Sequence, residues 1–549
     1  MGITRREFVK RAAVATSLPA LSKEGSGASL ASAYSAISKN EGVARPNILL
    51  ILCDQMRWDA ICGRSQCRMP NANRLAAQGI RFERSYTPVS LCTPGRTALL
   101  TGAFPWHNHM YMEIISPTAL VLDMYRGSNP QTDSPGNEVL YSSRLHDVGY
   151  IQGYAGKWHS SSVRGPLDFG FEEFVKPLSL VHPSRLKALR SHLHVIRWMQ
   201  WPGSKPFPMW GYLSDTGEED WFASHWTADN AIRMMKQYAA SGKPWHVEVQ
   251  FETPHDPYVP LKKYLDRYSP DEIPVAPSFY DTFQGKPDIH RHESEIWGKV
   301  TEEDFRQCRA CYFAFCEGVD AQIGRVLKAL EETGQAENTM VILTADHGDM
   351  LGAHRMWIKD WMPYEDSHRV PLVIRWPARI RPGLVSPRLV QLNDLAHTIV
   401  EAAGAKPLVY AEGRSLLPLM EDPERGDWPD QILSAWYGAE YLFTQRMAIT
   451  ERYKYVFNGI EFDECYDLQN DPFEMRNVLN EPSYATVVDD MRARLWDLMN
   501  QFGDPYGDVG PHLPNQGRPN RYTGSRYLPR GKRSPSKHEP FSIRVPLAE

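Results

Sequence analysis

The sequence CTPGRTALLTG occupies residues 92–102 and is the most informative stretch of this 549-residue chain. Its first half places Cys92, Pro94 and Arg96 at alternate positions, a spacing that ordinary Pro and Arg usage would produce at roughly one Cys in a few hundred. The Leu-Thr-Gly that closes the stretch makes the pattern more specific. The alternative interpretation is a buried structural Cys beside a turn, and the rest of the chain must decide between the two.

The overall composition is that of an ordinary globular protein, with 42% hydrophobic and 23% charged residues. A chain of 549 residues is long enough for one large domain plus a smaller one, or for two to four domains of average size. The formal net charge of -5 gives no overall attraction to nucleic acid or to an anionic membrane, so we expect no nucleic-acid partner. Any anionic ligand must be held by a local cluster of charges.

The eight Cys residues do not form the dense pattern of a small disulfide-rich secreted protein. Three of them, Cys308, Cys311 and Cys316, fall within residues 301–333, where apolar residues recur at helical spacing. Core packing is the favoured interpretation of these three, because no matching pair of Cys or His ligands accompanies them as a metal site would require.

The first 45 residues have the pattern of an export signal rather than of a fold. The sequence TRREFVK at residues 4–10 resembles a twin-arginine signal, and a weakly apolar run follows at residues 12–21. The ASA tripeptide at residues 31–33 is a candidate signal-peptidase site. The apolar run is too short to span a bilayer, and no other stretch approaches 18 apolar residues, so we expect no transmembrane segment. We predict export to the periplasm or the extracellular space; a disordered basic N-terminus is the alternative.

Four apolar strands are predicted, and each ends in a polar cluster. They cover residues 47–52, 150–155, 246–251 and 339–344. In open parallel α/β sheets, ligands bind at the carboxyl ends of the strands. We therefore expect the polar side chains that follow these strands to converge, and they are Asp54, Lys157, His159, His255, Asp346 and His347.

These motifs together resemble those of the type I sulfatases, a family within the alkaline-phosphatase-like superfamily. The resemblance covers roughly residues 45–500. It rests on residues 92–102, GKWH at 156–159, PHDPY at 254–258, ADHGD at 345–349 and RMWIK at 355–359.

The resemblance implies an α/β fold with a large mixed, mostly parallel β-sheet flanked by helices and a smaller C-terminal antiparallel α+β subdomain. Alternation at residues 446–457 and 464–468, followed by a helix near 482–501, is typical of such a subdomain. The domain organisation then predicted is a signal peptide and linker over 1–45, a catalytic domain over 46–430, a C-terminal subdomain over 431–502 and a Pro/Arg-rich tail over 503–549.

The resemblance also implies a modified nucleophile and a metal site. In the family, the Cys that corresponds to Cys92 is oxidised to formylglycine by a formylglycine-generating enzyme, and the aldehyde hydrates to a diol. A divalent cation, Ca²⁺ in the first instance, would be held by Asp54, Gln55, the modified Cys92, Asp346 and His347. Many family members carry Asp at the position of Gln55 and Asn at that of His347. A nitrogen ligand leaves room for Mg²⁺ or Mn²⁺.

The remaining predicted roles surround the diol. Arg96 would stabilise it, and His159 would act on its second hydroxyl. Lys157 and Lys359 would bind sulfate oxygens, and either His255 or Lys359 would protonate the leaving alcohol. Such a site works mainly by positioning and by electrostatic stabilisation of a loose transition state.

The predicted function is hydrolysis of a sulfate monoester, carried by a sulfated small molecule or carbohydrate. The first alternative is a phosphonate or phosphate ester hydrolase of the same superfamily, since some of these share the formylglycine motif and the Asp-His pair. The second is a non-catalytic sulfoglycan-binding protein with an unconverted Cys92.

Three stretches carry weaker signals. Residues 176–222 are rich in Trp and Pro and are interpreted as an irregular insertion near the mouth of the site, where substrate specificity would be built. Residues 260–300 are predicted to form a long irregular loop. The basic tail at 503–549 is interpreted as a wrapping or flexible arm rather than as a contact to substrate.

Overall fold

A computed structural model describes the chain in ten segments. They are residues 45–111, 139–161, 164–178, 190–200, 206–214, 223–359, 362–410, 412–437, 444–459 and 461–509. The twin-arginine motif, most of the basic tail and parts of the Trp-rich insertion lie outside the described residues. Among the helices that are described, none is long and apolar enough to cross a membrane.

The secondary structure alternates between strands and helices over most of the described chain. The strands are β1 Asn47–Cys53, β2 Ile80–Tyr86, β3 Ile151–Gly156, β4 Glu173–Val175, β5 Leu193–Met199, β6 Phe207–Leu213, β7 Trp245–Phe251, β8 Thr339–Thr344, β9 Arg369–Val370, β10 Leu372–Arg375, β11 Leu384–Gln391, β12 Gln431–Trp436, β13 Gln445–Thr450, β14 Tyr453–Asn458 and β15 Glu464–Asp467. The α-helices are α1 Pro70–Ala77, α2 Cys92–Thr101, α3 Pro105–Asn108, α4 Tyr141–Asp147, α5 Ala223–Ala239, α6 Lys262–Leu265, α7 Asp288–Ile296, α8 Glu302–Glu332, α9 Glu365–His368, α10 Leu392–Ala402, α11 Leu417–Glu421, α12 Ala485–Gln501 and α13 Pro505–Val509.

The large sheet is built around β1. The sequence of this strand, NILLILC, is a continuous apolar run, and all of its residues are buried, as expected when helices cover both faces. Within the described chain the strand order is β11-β2-β10-β8-β1-β7-β3-β4, and β9 pairs with β2. Most neighbours are parallel, while β10 runs antiparallel to β8 and β2. The predicted large mixed, mostly parallel sheet is confirmed.

The register of the parallel strands brings their carboxyl ends to one edge of the sheet. Leu52 of β1 lies opposite Gln250 of β7 on one side and Thr344 of β8 on the other. Gly156 of β3 also lies opposite Gln250. The segments that follow these four strands therefore start at the same level, which is where a parallel α/β sheet binds its ligand.

The longest described helix, α8, begins as the sequence predicts. The Thr301 side chain accepts a hydrogen bond from Asp304 N, and the Asp304 carboxylate accepts one from Thr301 N. Cys308, Cys311 and Cys316 are buried along this helix as free thiols, so their interpretation as core residues is confirmed. Helix α5 packs against α8 and against β3 and β7, which covers one face of the sheet.

A second sheet lies in the C-terminal part of the described chain. It consists of β12, β13, β14 and β15, each antiparallel to the next, and α12 packs against its first three strands. The alternating residues 446–457 correspond to the hairpin β13–β14. The predicted antiparallel α+β subdomain is confirmed as part of the fold, while its boundaries at residues 430 and 502 stay predictions.

Two regions predicted to be irregular contain regular structure. Strands β5 and β6 form an antiparallel hairpin inside the Trp-rich insertion. The alternation in β5 is hidden because apolar side chains occupy both faces: Val195 is half-buried, whereas Ile196 and Trp198 are exposed. Helix α7 lies within residues 260–300, and its sequence DIHRHESEI is amphipathic but too short for its pattern to predict a helix.

Candidate active site

The predicted site residues lie around the carboxyl edge of the large sheet. Cys92 is the first residue of α2, which follows β2. Lys359 comes from the loop between β8 and α9. Arg96 lies within α2 as well. The remaining predicted residues follow the ends of parallel strands, and they are Asp54 and Gln55 after β1, Lys157 and His159 after β3, His255 after β7, and Asp346 and His347 after β8.

Gly156 allows β3 to end close against β7. Its φ of 113° lies in a region that favours glycine, and a Cβ at this position would lie 2.0 Å from Gln250 O. Because the strands approach so closely, Lys157 N donates to the same carbonyl oxygen at 3.1 Å. The Lys157 side chain then reaches into the site, with Nζ 2.5 Å from Asp54 Oδ2.

Cys92 lies among cationic side chains at the start of a helix. Its Sγ is 2.9 Å from Lys359 Nζ, 3.1 Å from His347 Nε2 and 3.7 Å from Lys157 Nζ. Burial by itself raises the pKa of the Cys92 thiol, but the two lysines, His347 and a hydrogen bond from His159 hold that pKa well below its usual value. The dipole of α2 favours negative charge at the same place. Sγ therefore marks a position suited to an anionic oxygen, such as that of the predicted diol.

Arg96 lies one turn after Cys92 and binds two buried carboxylates. Its Nε donates to Asp346 Oδ2 at 2.8 Å, and its Nη2 donates to Asp54 Oδ2 at 3.0 Å. Nη1 donates to Gln250 Oε1 at 2.8 Å. The Arg96 side chain is 3% exposed and both carboxylates are fully buried, so these ion pairs are desolvated. Arg96 thus positions both acidic residues against α2.

We expect Arg96→Met to lower the free energy of unfolding by about 3–5 kcal/mol, because it leaves two buried carboxylates without their shared partner. Urea unfolding of the full chain in the presence of a chelator measures this loss. The matched control is Arg233→Met, whose ion pair with Glu173 is exposed and should be worth no more than about 1 kcal/mol. Equal effects of the two substitutions would contradict this role of Arg96.

Four buried side chains form a cluster that fits a divalent cation. The ligand atoms of Asp54, Cys92, Asp346 and His347 all lie within 4.8 Å of one another. Carboxylate oxygens and an imidazole nitrogen suit hard to borderline cations. His347 Nδ1 donates to Gly348 O at 2.8 Å, so Nε2 is left available as a ligand atom.

Asp54 and Gln55 carry further signs of a cation site. Burial and the neighbouring Cys92 raise the pKa of Asp54, but Lys157 and Arg96 outweigh them and hold it well below its usual value, so Asp54 is ionised. Gln55 Oε1 is buried and accepts no hydrogen bond from the described residues. An unpaired buried oxygen is costly, and a bound cation would remove that cost. The residues present therefore fit the metal that the motifs imply.

Lys359, which contacts Cys92, also contacts His255, and the two side chains are candidates for anion binding and proton donation. Lys359 Nζ is 3.1 Å from His255 Nε2, and His255 Nδ1 is 2.8 Å from Asp256 O. Burial favours the neutral imidazole, but the Asp256 carboxylate reverses this and raises the pKa of His255 to about 9. At neutral pH His255 is therefore protonated and can donate a proton.

Two buried residues next to the site were not singled out from the sequence. Gln250 accepts from Arg96, and Asp349 Oδ2 accepts from Gln55 Nε2 at 2.8 Å. A polar residue inside a strand buried on both faces was the available signal for Gln250. Asp349 was visible as an acidic residue at the end of the ADHGD motif.

The fold and this cluster agree with the alkaline-phosphatase-like superfamily, which the sequence motifs resemble. Residues 46–405 match the family model described as "Sulfatase", and residues 352–501 match "N-sulphoglucosamine sulphohydrolase, C-terminal". The chain belongs to the sulfatase family, as its motifs predicted, and it is an enzyme of that family.

A relative and two solved structures are similar to this chain over most of its length. An arylsulfatase of Clostridium perfringens is 28% identical over 489 residues, which cover 84% of this chain and 96% of the relative. A structure described as a complex with its substrate D-glucosamine-2-N,6-O-disulfate has a TM-score of 0.68 at 22% identity, covering 85% of this chain and 99% of that one. A phosphonate monoester hydrolase from Silicibacter pomeroyi also has a TM-score of 0.68, at 23% identity, with 84% and 96% coverage. These two structures share the fold with this chain.

Proposed function

We propose that this sulfatase hydrolyses a sulfate monoester of a carbohydrate, using a formylglycine derived from Cys92 and a bound divalent cation. The observation that carries the proposal is the placement of Cys92 Sγ, which lies 2.9 Å from Lys359 Nζ and 3.1 Å from His347 Nε2. A structural Cys needs no such neighbours, whereas an anionic nucleophile does.

The cation would be held by Asp54, Gln55, Asp346 and His347 together with position 92. Ca²⁺ is the proposed ion, and the nitrogen of His347 makes Mg²⁺ and Mn²⁺ the alternatives. When bound, the cation would polarise the sulfate and lower the pKa of the nucleophilic hydroxyl.

The formylglycine would supply that hydroxyl, and the neighbouring side chains would handle charge and protons. Lys157 and Lys359 balance the charge of the sulfate oxygens. His255 donates a proton to the leaving alcohol, for which its protonated state at neutral pH is suited. His159, which hydrogen-bonds the side chain of residue 92, accepts the proton of the second hydroxyl.

A carbohydrate substrate is supported by the relative of the same fold whose structure contains a disulfated glucosamine. The twin-arginine motif at residues 4–10 supports export to the periplasm or extracellular space, where sulfated polysaccharides are accessible. We also propose that a formylglycine-generating enzyme converts Cys92 and that the protein is exported by the twin-arginine route.

The second candidate is hydrolysis of a phosphonate or phosphate ester. It is favoured by the similarity to the phosphonate monoester hydrolase and by the presence of His347 where many sulfatases carry Asn. A tetrahedral phosphorus ester presents anionic oxygens to Lys157 and Lys359 much as a sulfate ester does.

Hydrolysis of matched aryl esters tests the proposed function. With protein whose residue 92 has been shown to be formylglycine, we expect kcat/KM for the aryl sulfate to exceed that for the aryl phosphate and the aryl phosphonate by at least about tenfold, or about 1.4 kcal/mol. A preference for either phosphorus ester would favour the second candidate. Binding of sulfated oligosaccharides without turnover of any ester would instead indicate a binding protein.

A further inference from the structure

Asp349 binds the side chain of Gln55 next to the cation site. Its Oδ2 accepts hydrogen bonds from Gln55 Nε2 at 2.8 Å and from Tyr258 OH at 2.6 Å. Its Oδ1 accepts from Leu351 N at 2.8 Å. Asp349 is fully buried, so each of these contacts is shielded from water. Both carboxylate oxygens are thus occupied by donors.

These contacts determine which way the Gln55 amide faces. Its Nε2 is surrounded by three oxygens, since Asp256 Oδ1 lies at 3.3 Å and Tyr258 OH at 3.4 Å in addition to Asp349 Oδ2. The reversed amide would put Oε1 within 2.8 Å of a carboxylate oxygen, and two acceptors in contact in a dry site repel each other. The nitrogen therefore faces Asp349, and Oε1 faces away from it.

The backbone of Gln55 holds the same residue at the rim of the ligand cluster. Gln55 N donates to Asp346 Oδ1 at 3.1 Å, and Tyr312 OH donates to Gln55 O at 2.7 Å. Its φ of 66° is uncommon for a residue with a side chain, so the surrounding contacts must hold this conformation. The result is a buried Oε1 that accepts no hydrogen bond from the described residues, on a residue whose backbone N contacts Asp346 of the ligand cluster.

We propose that Asp349, assisted by Tyr258, is a positioning residue that orients the Gln55 amide so that its oxygen serves the cation. The inference rests on the cation site of the proposed function. The same contact favours an amide over a carboxylate of equal length at position 55, because Glu there would place its carboxylate against that of Asp349. The negative charge then lies on Asp349 rather than on a ligand of the cation, and it acts on the cation through the Gln55 amide.

A double-mutant cycle tests the orientation. In the natural background, Asp349→Asn places an NH₂ group next to either Gln55 Nε2 or Leu351 N, and both of these are donors. The Gln55 amide is then no longer held in one orientation. We expect it to weaken binding of Mn²⁺ and Ca²⁺ by about tenfold, as loss of an outer-shell partner does. In the Gln55→Glu background the same Asp349→Asn change removes a contact between two carboxylates and supplies a donor to the introduced one, so it should strengthen binding.

Calorimetric titration of the metal-stripped full chain with each ion gives the four affinities, and the thermal midpoint without metal reports on structure alone. Opposite signs of the Asp349→Asn effect in the two backgrounds support the proposal. Equal effects would mean that Asp349 acts only by its charge and would overturn it. A lower midpoint without metal at unchanged affinity would assign Asp349 a purely structural role and overturn it as well.

The wild-type protein and Asp54→Ala separate this inference from the function on which it rests. If the wild type binds either ion and Asp54→Ala does not, the cation site stands, and the cycle alone decides the role of Asp349. If the wild type binds neither ion, the cation site and the inference fail together.

Discussion

Cys92→Ala is expected to lower kcat/KM on an aryl sulfate by at least about 10⁴-fold while the protein stays folded, because it removes the precursor of the proposed nucleophile. The site around it, with Lys157, Lys359 and the acidic pair, stays in place. In the variant, water would have to act in place of an oriented hydroxyl, so both the positioning of the nucleophile and covalent catalysis would be lost.

The measurement needs two controls. Mass spectrometry of the tryptic peptide at residues 85–96 shows whether residue 92 of the wild type is formylglycine or Cys, so that activity is referred to converted protein. Cys62→Ala is the matched control, since Cys62 is a half-buried free thiol outside the ligand cluster, and it should leave kcat/KM within about twofold. Wild-type activity in Cys92→Ala, with an unchanged thermal midpoint, would rule out the proposed mechanism.

The centre of the fold could be predicted because its strands are buried on both faces. Full burial leaves a continuous apolar run such as that of β1, and a run of this kind followed by an abrupt polar cluster marks a strand end in a parallel sheet. The start of α8 could be predicted for a similar reason, since the reciprocal bonds of Thr301 and Asp304 depend only on local spacing. Features that arise from a short stretch of chain are visible in the sequence.

Features that depend on contacts between distant residues could not be predicted in the same way. The motifs indicated that Asp54, Arg96 and Asp346 belong to one site, but not that the Arg96 side chain donates hydrogen bonds to both carboxylates and to Gln250. The role of Arg96 at the diol stays a prediction. The contact of Asp349 with Gln55 joins residues far apart in the chain, and no local pattern marks such a pair.

The hairpin β5–β6 is local in the chain and was missed for another reason, because apolar side chains on both of its faces hide the period of two.

The site also combines groups whose charges would be costly alone. Two buried carboxylates, Asp54 and Asp346, share Arg96, and Lys157 adds a second cation to Asp54. Lys359 reaches Cys92 from a different segment of the chain and lies within 3.1 Å of His255 Nε2. Its ammonium group therefore stands beside both the position of the nucleophile and the proposed proton donor, which makes it suited to bind an anionic substrate.

Lys359→Met is accordingly expected to lower kcat/KM on the aryl sulfate by about 10²–10⁴-fold, since Met keeps much of the length of the side chain but not its charge. The loss should be larger for poor leaving groups. The Lys359 charge lowers the pKa of His255, so its removal raises that pKa above the value of about 9 in the wild type and makes His255 a weaker acid. Because His255 acts in its protonated form, activity falls as the pH rises through its pKa, and the alkaline limb of the pH profile should move to higher pH in the variant.

Rates across a series of aryl sulfates with different leaving-group pKa values, each measured over a range of pH, test both parts of this expectation. Lys243→Met is the matched control, because Lys243 is exposed and lies just before β7, and it should leave the rates and the alkaline limb unchanged. A lower rate in Lys359→Met with an unshifted limb and an unchanged dependence on the leaving group would restrict Lys359 to binding sulfate. A rate within about threefold of the wild type would remove Lys359 from the transition state altogether. A threefold change is less than about 1 kcal/mol, and a direct charge contact to a sulfate oxygen should be worth more.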